Sequence, residues 1–135
     1  MQEDGEKLIK ESERILQRDV QGALDEQDFN MAVRRAQEVV ELALKGALRT
    51  LGVDYPKVHD VAPVFSEQVQ QKRWGVKAEI LEQIEEIFLW HSQARAPSFY
   101  FERDFSPEDA RHAFQDAGLV LSEVRKILGL KDRLP

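Results

Sequence analysis

The sequence contains no cysteine and no long run of apolar residues, and each absence excludes a class of protein. Without cysteine the chain forms no disulfide and offers no thiolate to a metal. No uncharged stretch approaches the ~20 residues that a membrane-spanning helix needs, and no charged-then-apolar leader opens the chain. We therefore expect a cytoplasmic protein that is neither secreted nor inserted in a membrane.

Common catalytic signatures are missing as well. The three histidines lack metal-ligand spacing such as His-Glu-x-x-His, so the sequence predicts no metal site. Glycine-rich phosphate loops and the Gly-x-Ser-x-Gly nucleophile turn are also absent. The net charge of −6 argues against a broad electrostatic grip on nucleic acid, which requires concentrated Lys and Arg. These absences predict a protein without a cofactor.

The apolar residues that are present recur at intervals of three and four, and nothing alternates for long enough to make a strand. With 135 residues, 42% of them hydrophobic, the chain is long enough to bury one core. The pattern predicts an all-α fold, an antiparallel up-and-down bundle of about five helices, as a single domain over residues 1–135. The predicted helices cover approximately residues 5–23, 28–51, 58–69, 76–94 and 107–128.

The second predicted helix has a stripe of small apolar residues, which lets another helix approach closely. Asp28 or Asn30 can cap its beginning, because a short side-chain oxygen accepts from the first-turn amides. Gly52 is the expected left-handed stop. The stripe consists of Ala32, Ala36, Val39, Ala43, Ala47 and Leu51.

The last helix has the clearest start signal in the chain, Ser-Pro-Glu-Asp at residues 106–109. Serine is a good cap, proline suits the first helical position, and the acids complement the positive end of the helix dipole. Gly129 is the expected end of this helix. Between Ala94 and Ser106, Pro97 and three consecutive aromatic residues predict a loop.

Glu41 and Lys45 are the first candidate pair for a functional role. They lie one helical turn apart, so their side chains can form an ion pair worth a few tenths of a kcal/mol. The simpler interpretation is a solvated surface pair. The functional interpretation makes Lys45 a contact for a phosphate or a ribose.

The segment LRTLGVDYPKVHD, residues 48–60, concentrates reactive side chains at the end of the second predicted helix. Tyr55 before Pro56 favours an extended turn, and His59 and Asp60 then fall in the first turn of the third helix. Each of these residues has a structural role available, so the segment is first a corner. A catalytic role requires a second group within reach, which sequence separation does not reveal.

His91 and Arg95 continue the buried stripe of the fourth predicted helix. Polar groups on an inner face are costly unless they are paired or hydrated. Two interpretations remain open: a polar pocket shared with Tyr100, or an internally satisfied hydrogen bond. His112 receives no role.

Four segments together resemble the HEPN domain family, named for nucleotide binding in higher eukaryotes and prokaryotes, in its stand-alone prokaryotic form. The resemblance runs from near Glu13 to about Leu128. It is carried by DFNMAVRRAQEVVELALKGALRTLG, by PKVHDV, by RAPSFYFERDFSPEDA and by the closing AFQDAGLVLSEVRKIL. Their order and spacing, rather than any single segment, carry the similarity.

The resemblance implies a homodimeric helical bundle and a minimal nucleotidyltransferase partner in a toxin–antitoxin-like pair. By matching family positions, it implies a nucleotide site at Lys45, His59, Arg95 and Tyr100, with phosphate on Lys45 or Arg95 and the base on Tyr100. Many members are metal-independent ribonucleases that use an Arg, four to six residues, then a His. That motif is missing here, so we expect a non-catalytic module. The alternative is a ribonuclease acting on RNA through the reversed pair His91 and Arg95.

Overall fold

The computed structural model describes the backbone of residues 2–53, 61–72, 75–99 and 103–133, and the side chains of 4–53, 61–72, 75–94 and 103–129. Those residues contain helices and no strand, which confirms the all-α prediction. The elements are α1 (Gln2–Arg14), a π-helical segment (Ile15–Val20), α2 (Gln21–Asp25), α3 (Phe29–Thr50), α4 (Ala62–Gln71), α5 (Ala78–Phe99) and α6 (Pro107–Arg133). Because α1, the π segment and α2 follow one another without a break, they form one continuous helix.

Two predicted helix ends differ from the structure. α5 continues beyond Ala94 through Pro97 to Phe99, where a loop was predicted. A proline so close to the end removes a single hydrogen bond of the last turn, which is tolerable there. α6 continues through Gly129 to Arg133, because a glycine costs only about 1 kcal/mol in a helix and buried Leu128 holds that turn against the core. The predicted start of the third helix lies outside the described residues.

α3 is the central helix and contacts α1, α4, α5 and α6. Every member of its predicted small-residue stripe is buried. The closest approach is between glycines: a Cβ placed on Gly46 would lie 2.8 Å from the carbonyl oxygen of Gly5. A Cβ on Gly5 would lie 2.6 Å from the carbonyl oxygen of Gly46. The two backbones are therefore in contact, which only glycine at both positions allows.

Helix caps fix both ends of α3 and the beginning of α6. The Asp28 carboxylate accepts from the backbone N–H of Met31 at 3.2 Å, so Asp28 rather than Asn30 is the cap. Gly52 has a φ of 77°, which confirms the left-handed stop. At α6, the N–H of Asp109 donates to Ser106 Oγ at 3.0 Å and the N–H of Ser106 donates to Asp109 at 3.2 Å. This reciprocal pair is a capping box.

The α3 and α6 helices begin at the same end of the bundle. Asn30, in the first turn of α3, binds the backbone of Arg103 and Phe105 just before α6 begins. α1 runs in the opposite direction, with Gly5 packed near the last turns of α3 at Gly46. The bundle thus has a first end, near Asn30, and a second end, near Gly46.

Candidate functional site

Lys45 forms the ion pair that its spacing predicts. Its Nζ lies 2.8 Å from Glu41 Oε1, and the amide of Gln37 donates to Glu41 Oε2 at 2.9 Å. The side chain of Lys45 is 27% exposed and that of Glu41 is 16% exposed, so neither is a freely solvated surface group. The pair is accessible on one side only.

That accessible side faces a charged groove between α1 and α3, at the second end of the bundle. The groove has a volume of about 460 Å³. Its lining consists of Asp4, Lys7 and Leu8 from α1 and Leu42, Lys45 and Arg49 from α3. Arg49 and Asp4 approach to 3.7 Å across the groove. Exposed ion pairs of this kind contribute little and rearrange easily, so three cationic side chains are in place to receive an anion.

The other predicted nucleotide-binding residues are not brought to this groove by any described contact. His59 and Tyr100 lie outside the described residues, and of Arg95 only the helical backbone in α5 is described. Lys45 lies fifteen residues after Asn30, about 22 Å along α3 by helical rise. Because α5 ends a few residues before Asn30's partner Arg103, Arg95 belongs to the last turns leading toward the first end. The four-residue cleft stays a prediction.

His91, the candidate acid or base of the ribonuclease alternative, is buried in α5 and only 1% exposed. Its Nδ1 lies 2.8 Å from the carbonyl oxygen of Ile87, which can only accept, so Nδ1 carries the proton. Nε2 then carries the lone pair and has no hydrogen-bond partner among the described residues. One ring nitrogen has a hydrogen-bond partner and the other has none among the described residues, an outcome between the two interpretations of the sequence.

The surroundings of His91 keep the imidazole neutral. Burial lowers its pKa, and this outweighs the opposing effects of the Ile87 carbonyl, the Asp116 carboxylate and the Ala113 carbonyl. Nearby His112 lowers the pKa further. A general base must come within hydrogen-bond reach of the proton it removes. In this conformation protein atoms enclose the ring.

One side of His91 belongs to an aromatic cluster in which Trp90 contacts both His91 and Phe105. The rings of Trp90 and His91 pack edge to face at 5.0 Å, and those of Trp90 and Phe105 at 6.2 Å. The guanidinium of Arg103 lies 4.7 Å from the centre of the Phe105 ring, a cation–π contact that covers the cluster. The cluster joins α5 to the beginning of α6.

Asn30 is a positioning residue that the sequence did not reveal. Its Nδ2 donates to the carbonyl of Arg103 and its Oδ1 accepts from the N–H of Phe105, both at 2.9 Å. The side chain is 8% exposed. It clamps the segment that connects α5 to α6, where the prediction assigned it an alternative capping role. An asparagine in the first turn of the helix, two residues after a better cap, was the available signal.

A second groove, also missed, lies at the first end of the bundle. This aromatic groove has a volume of about 340 Å³. It is lined by Gln21 and Leu24 from α2, Phe29 from α3, and Arg111, Phe114 and Gln115 from α6. Leu24, Phe29 and Phe114 are partly buried and packed against the core. Two partly exposed phenylalanines on neighbouring helices form an apolar surface that packing alone does not require.

The fold and the grooves define the class of protein. It is a small helical-bundle domain with grooves between its helices. A family model described as HEPN domain matches residues 5–127, nearly the whole chain. The chain therefore belongs to the HEPN family, as the resemblance indicated, and membership supports a nucleotide- or RNA-related module in general terms. A comparison with curated proteins finds no significant match.

None of the described helices is long and apolar enough to cross a membrane. In the described part of the chain, no three or more His, Asp or Glu side chains cluster in a way that could hold a metal ion.

Proposed function

We propose that this HEPN domain is a non-catalytic module that binds a nucleotide and pairs with a minimal nucleotidyltransferase in a toxin–antitoxin-like system. One observation carries the non-catalytic assignment: His91 is buried and neutral, and its ring packs against Trp90. The sequence also lacks the Arg-x4–6-His motif through which ribonucleases of the resembling type act. An imidazole in this position stabilises the α5–α6 interface rather than a reacting phosphate.

The charged groove supports the nucleotide-binding part of the proposal. In a chain of net charge −6, three cationic side chains face one groove at Lys45. A phosphate that enters it would exchange the exposed Asp4–Arg49 contact for a charge-assisted hydrogen bond. The role of Lys45 is proposed together with those of His59, Arg95 and Tyr100, which follow from the family resemblance.

The ribonuclease alternative is tested by incubating the purified protein with single-stranded RNA in EDTA. We expect no cleavage above the rate of a buffer control. Cleavage that His91→Ala abolishes, in a variant whose circular dichroism and unfolding transition remain native, would replace our proposal with the ribonuclease. His112→Ala, an exposed histidine on α6, is the matched control for the loss of an imidazole.

Nucleotide binding is tested by calorimetry with a panel of mononucleotides. We expect measurable binding that weakens when Lys45→Gln or Arg95→Ala removes a cation. Lys126→Gln is the control, because Lys126 pairs with Glu123 on α6, away from both grooves. Binding that remains millimolar or weaker for every nucleotide, and is unaltered by Arg95→Ala, would defeat this part.

The partner is tested separately. Co-expression with a small nucleotidyltransferase encoded in a neighbouring reading frame, followed by size-exclusion chromatography, should give one co-eluting complex. The protein alone should elute as a homodimer, as the family resemblance implies. Separate elution of the two proteins would contradict the pairing without affecting the nucleotide result.

A further inference from the structure

The aromatic groove has the composition of a binding site for a planar ring. The apolar surface comes from Phe29 and Phe114, with Leu24 beside them. All three also pack against the core, so their positions are fixed before any ligand arrives. The remaining lining groups are two amides and one guanidinium, at Gln21, Gln115 and Arg111. Small-molecule sites share this composition, a mostly apolar surface with a few polar groups that set orientation.

Backbone irregularities lie on both sides of the groove. The π segment Ile15–Val20 ends directly before Gln21, and a π turn changes the rotation of every residue that follows it. On the other side, Gln27 has a φ of 62°, a left-handed conformation that is uncommon for a residue other than glycine. The Gln27 conformation ends α2, because the N–H of Asp28 donates to the Ala23 carbonyl at 2.8 Å and the N–H of Gln27 to the Leu24 carbonyl at 3.1 Å, a Schellman motif. The π segment is not explained in this way, and π segments occur often at functional sites.

We propose that the aromatic groove binds the base of a nucleotide, stacked on Phe29 and Phe114. This inference rests on the proposed nucleotide-binding role and assigns the base to a place distinct from Tyr100 and from the charged groove. Phe29 and Lys45 are separated by sixteen residues of α3, about 24 Å by helical rise, so one mononucleotide does not reach both grooves. A volume of about 340 Å³ suits a single nucleotide.

The polar groups fit a base edge and one phosphate. The Gln21 amide donates to Asp25 Oδ1 at 2.9 Å, which orients it at the wall of the groove. An amide offers both a donor and an acceptor, the combination that a base edge requires. Arg111 contacts Glu108 at only 3.4 Å, and both are more than half exposed, so a phosphate can replace that contact. The two carboxylates, Asp25 and Glu108, disfavour a longer phosphate chain.

Calorimetry with adenosine, AMP and inorganic tripolyphosphate tests the assignment. We expect the intact protein to bind AMP and adenosine, since stacking is the main contribution. Phe114→Leu and Phe29→Leu keep an apolar side chain and remove the aromatic face. Each should weaken AMP binding roughly 5- to 150-fold, the range for loss of one base–aromatic contact. Leu89→Ala is the control and should leave AMP affinity unchanged, because Leu89 is an exposed apolar side chain on α5 that lines neither groove.

The outcomes separate this inference from the proposed function. If the Phe variants bind AMP normally and Lys45→Gln does not, the aromatic groove is wrong and nucleotide binding stands. If AMP binds and adenosine does not, phosphate contacts dominate and stacking on phenylalanine is likewise wrong. If neither ligand binds the intact protein at millimolar concentration, both the inference and the nucleotide-binding proposal fail.

Discussion

The two ends of the bundle hold α3 in different ways. At the second end, α1 and α3 touch backbone to backbone through Gly5 and Gly46, and charged side chains surround the contact. At the first end, the buried side chain of Asn30 binds the segment before α6, next to the aromatic cluster that includes His91. The second end is held by a close backbone contact that two glycines allow. The first end is held by the hydrogen bonds of a buried asparagine in an apolar environment.

This difference explains why two ionisable residues that were both candidates have such different environments. Lys45 lies beside the close glycine contact, where the helices leave 27% of its side chain exposed. His91 packs against Trp90 and is only 1% exposed, so its imidazole is covered. Packing geometry, rather than residue type, decides which group a ligand can reach.

The largest effect is expected from filling the glycine contact. Gly46→Ala places a methyl group 2.8 Å from the backbone oxygen of Gly5, which cannot move aside as a flexible side chain would. We expect a loss of about 3 kcal/mol in the free energy of unfolding, the upper part of the range for overpacking. Urea unfolding followed by circular dichroism measures it.

Gly22→Ala, in α2, is the matched control for that substitution. No heavy atom lies within 4 Å of the added methyl group, so alanine should stabilise the helix by roughly 0.5–1 kcal/mol. Equal effects at Gly22 and Gly46 would show that the helices do not meet as closely as described.

The next largest effect on stability is expected at the first end of the bundle. Asn30→Ala leaves the Phe105 N–H and the Arg103 carbonyl without their partner, and we expect a loss of about 2 kcal/mol, within the 1–3 kcal/mol range for unsatisfied buried groups. Asn30→Asp retains the acceptor for Phe105 and loses the donor to Arg103. If Asn30→Ala costs less than a few tenths of a kcal/mol, the clamp does not hold the connection.

The pH dependence of stability sharpens the contrast further. Because burial lowers the pKa of folded His91, the unfolded chain takes up a proton below its ordinary pKa of about 6.5 while the folded chain does not. Above pH ~6.5 the titration of His91 therefore does not change the free energy of unfolding. As the pH decreases from there toward the pKa of folded His91, the free energy of unfolding falls by at most about 1.4 kcal/mol per pH unit.

Urea unfolding at pH 7.5, 6.5 and 5.5 measures that fall. His91→Gln retains a polar side chain that does not titrate and should flatten the profile in this range. His112→Gln removes a histidine whose side chain is 71% exposed and should keep the fall, because His91 is retained. A wild-type profile that matches that of His91→Gln would contradict a buried, neutral imidazole.

Periodicity and caps predicted most of the fold, because local rules determine them. The buried stripe of α3, the left-handed Gly52 and the Ser106 cap all depend on residues within one or two turns. The wrong boundaries at Pro97 and Gly129 arose because those rules treat proline and glycine as stops. Near the end of a helix, the cost of either residue is small enough for packing to override it.

The candidate sites were harder to predict because they depend on contacts between distant segments. Asn30 binds residues more than seventy positions away, and no local pattern indicates such a partner. Phe29 and Phe114 become neighbours only when α6 packs beside α3. Sequence spacing did predict the Glu41–Lys45 ion pair, which lies within one turn, and could not tell which groove it faces.

The smallest expected effect concerns the Glu41–Lys45 ion pair. Its strength decides whether Lys45 can exchange Glu41 for a phosphate in the charged groove. A double-mutant cycle with Glu41→Gln and Lys45→Met should give a coupling of about 0.5 kcal/mol that shrinks with added salt. The same cycle on Glu123 and Lys126, a more exposed pair, should give less. A coupling above 2 kcal/mol at Lys45 would mean that Glu41 holds the ammonium too firmly for a phosphate to compete. Lys45 in the charged groove would then be as unavailable to a ligand as the buried His91.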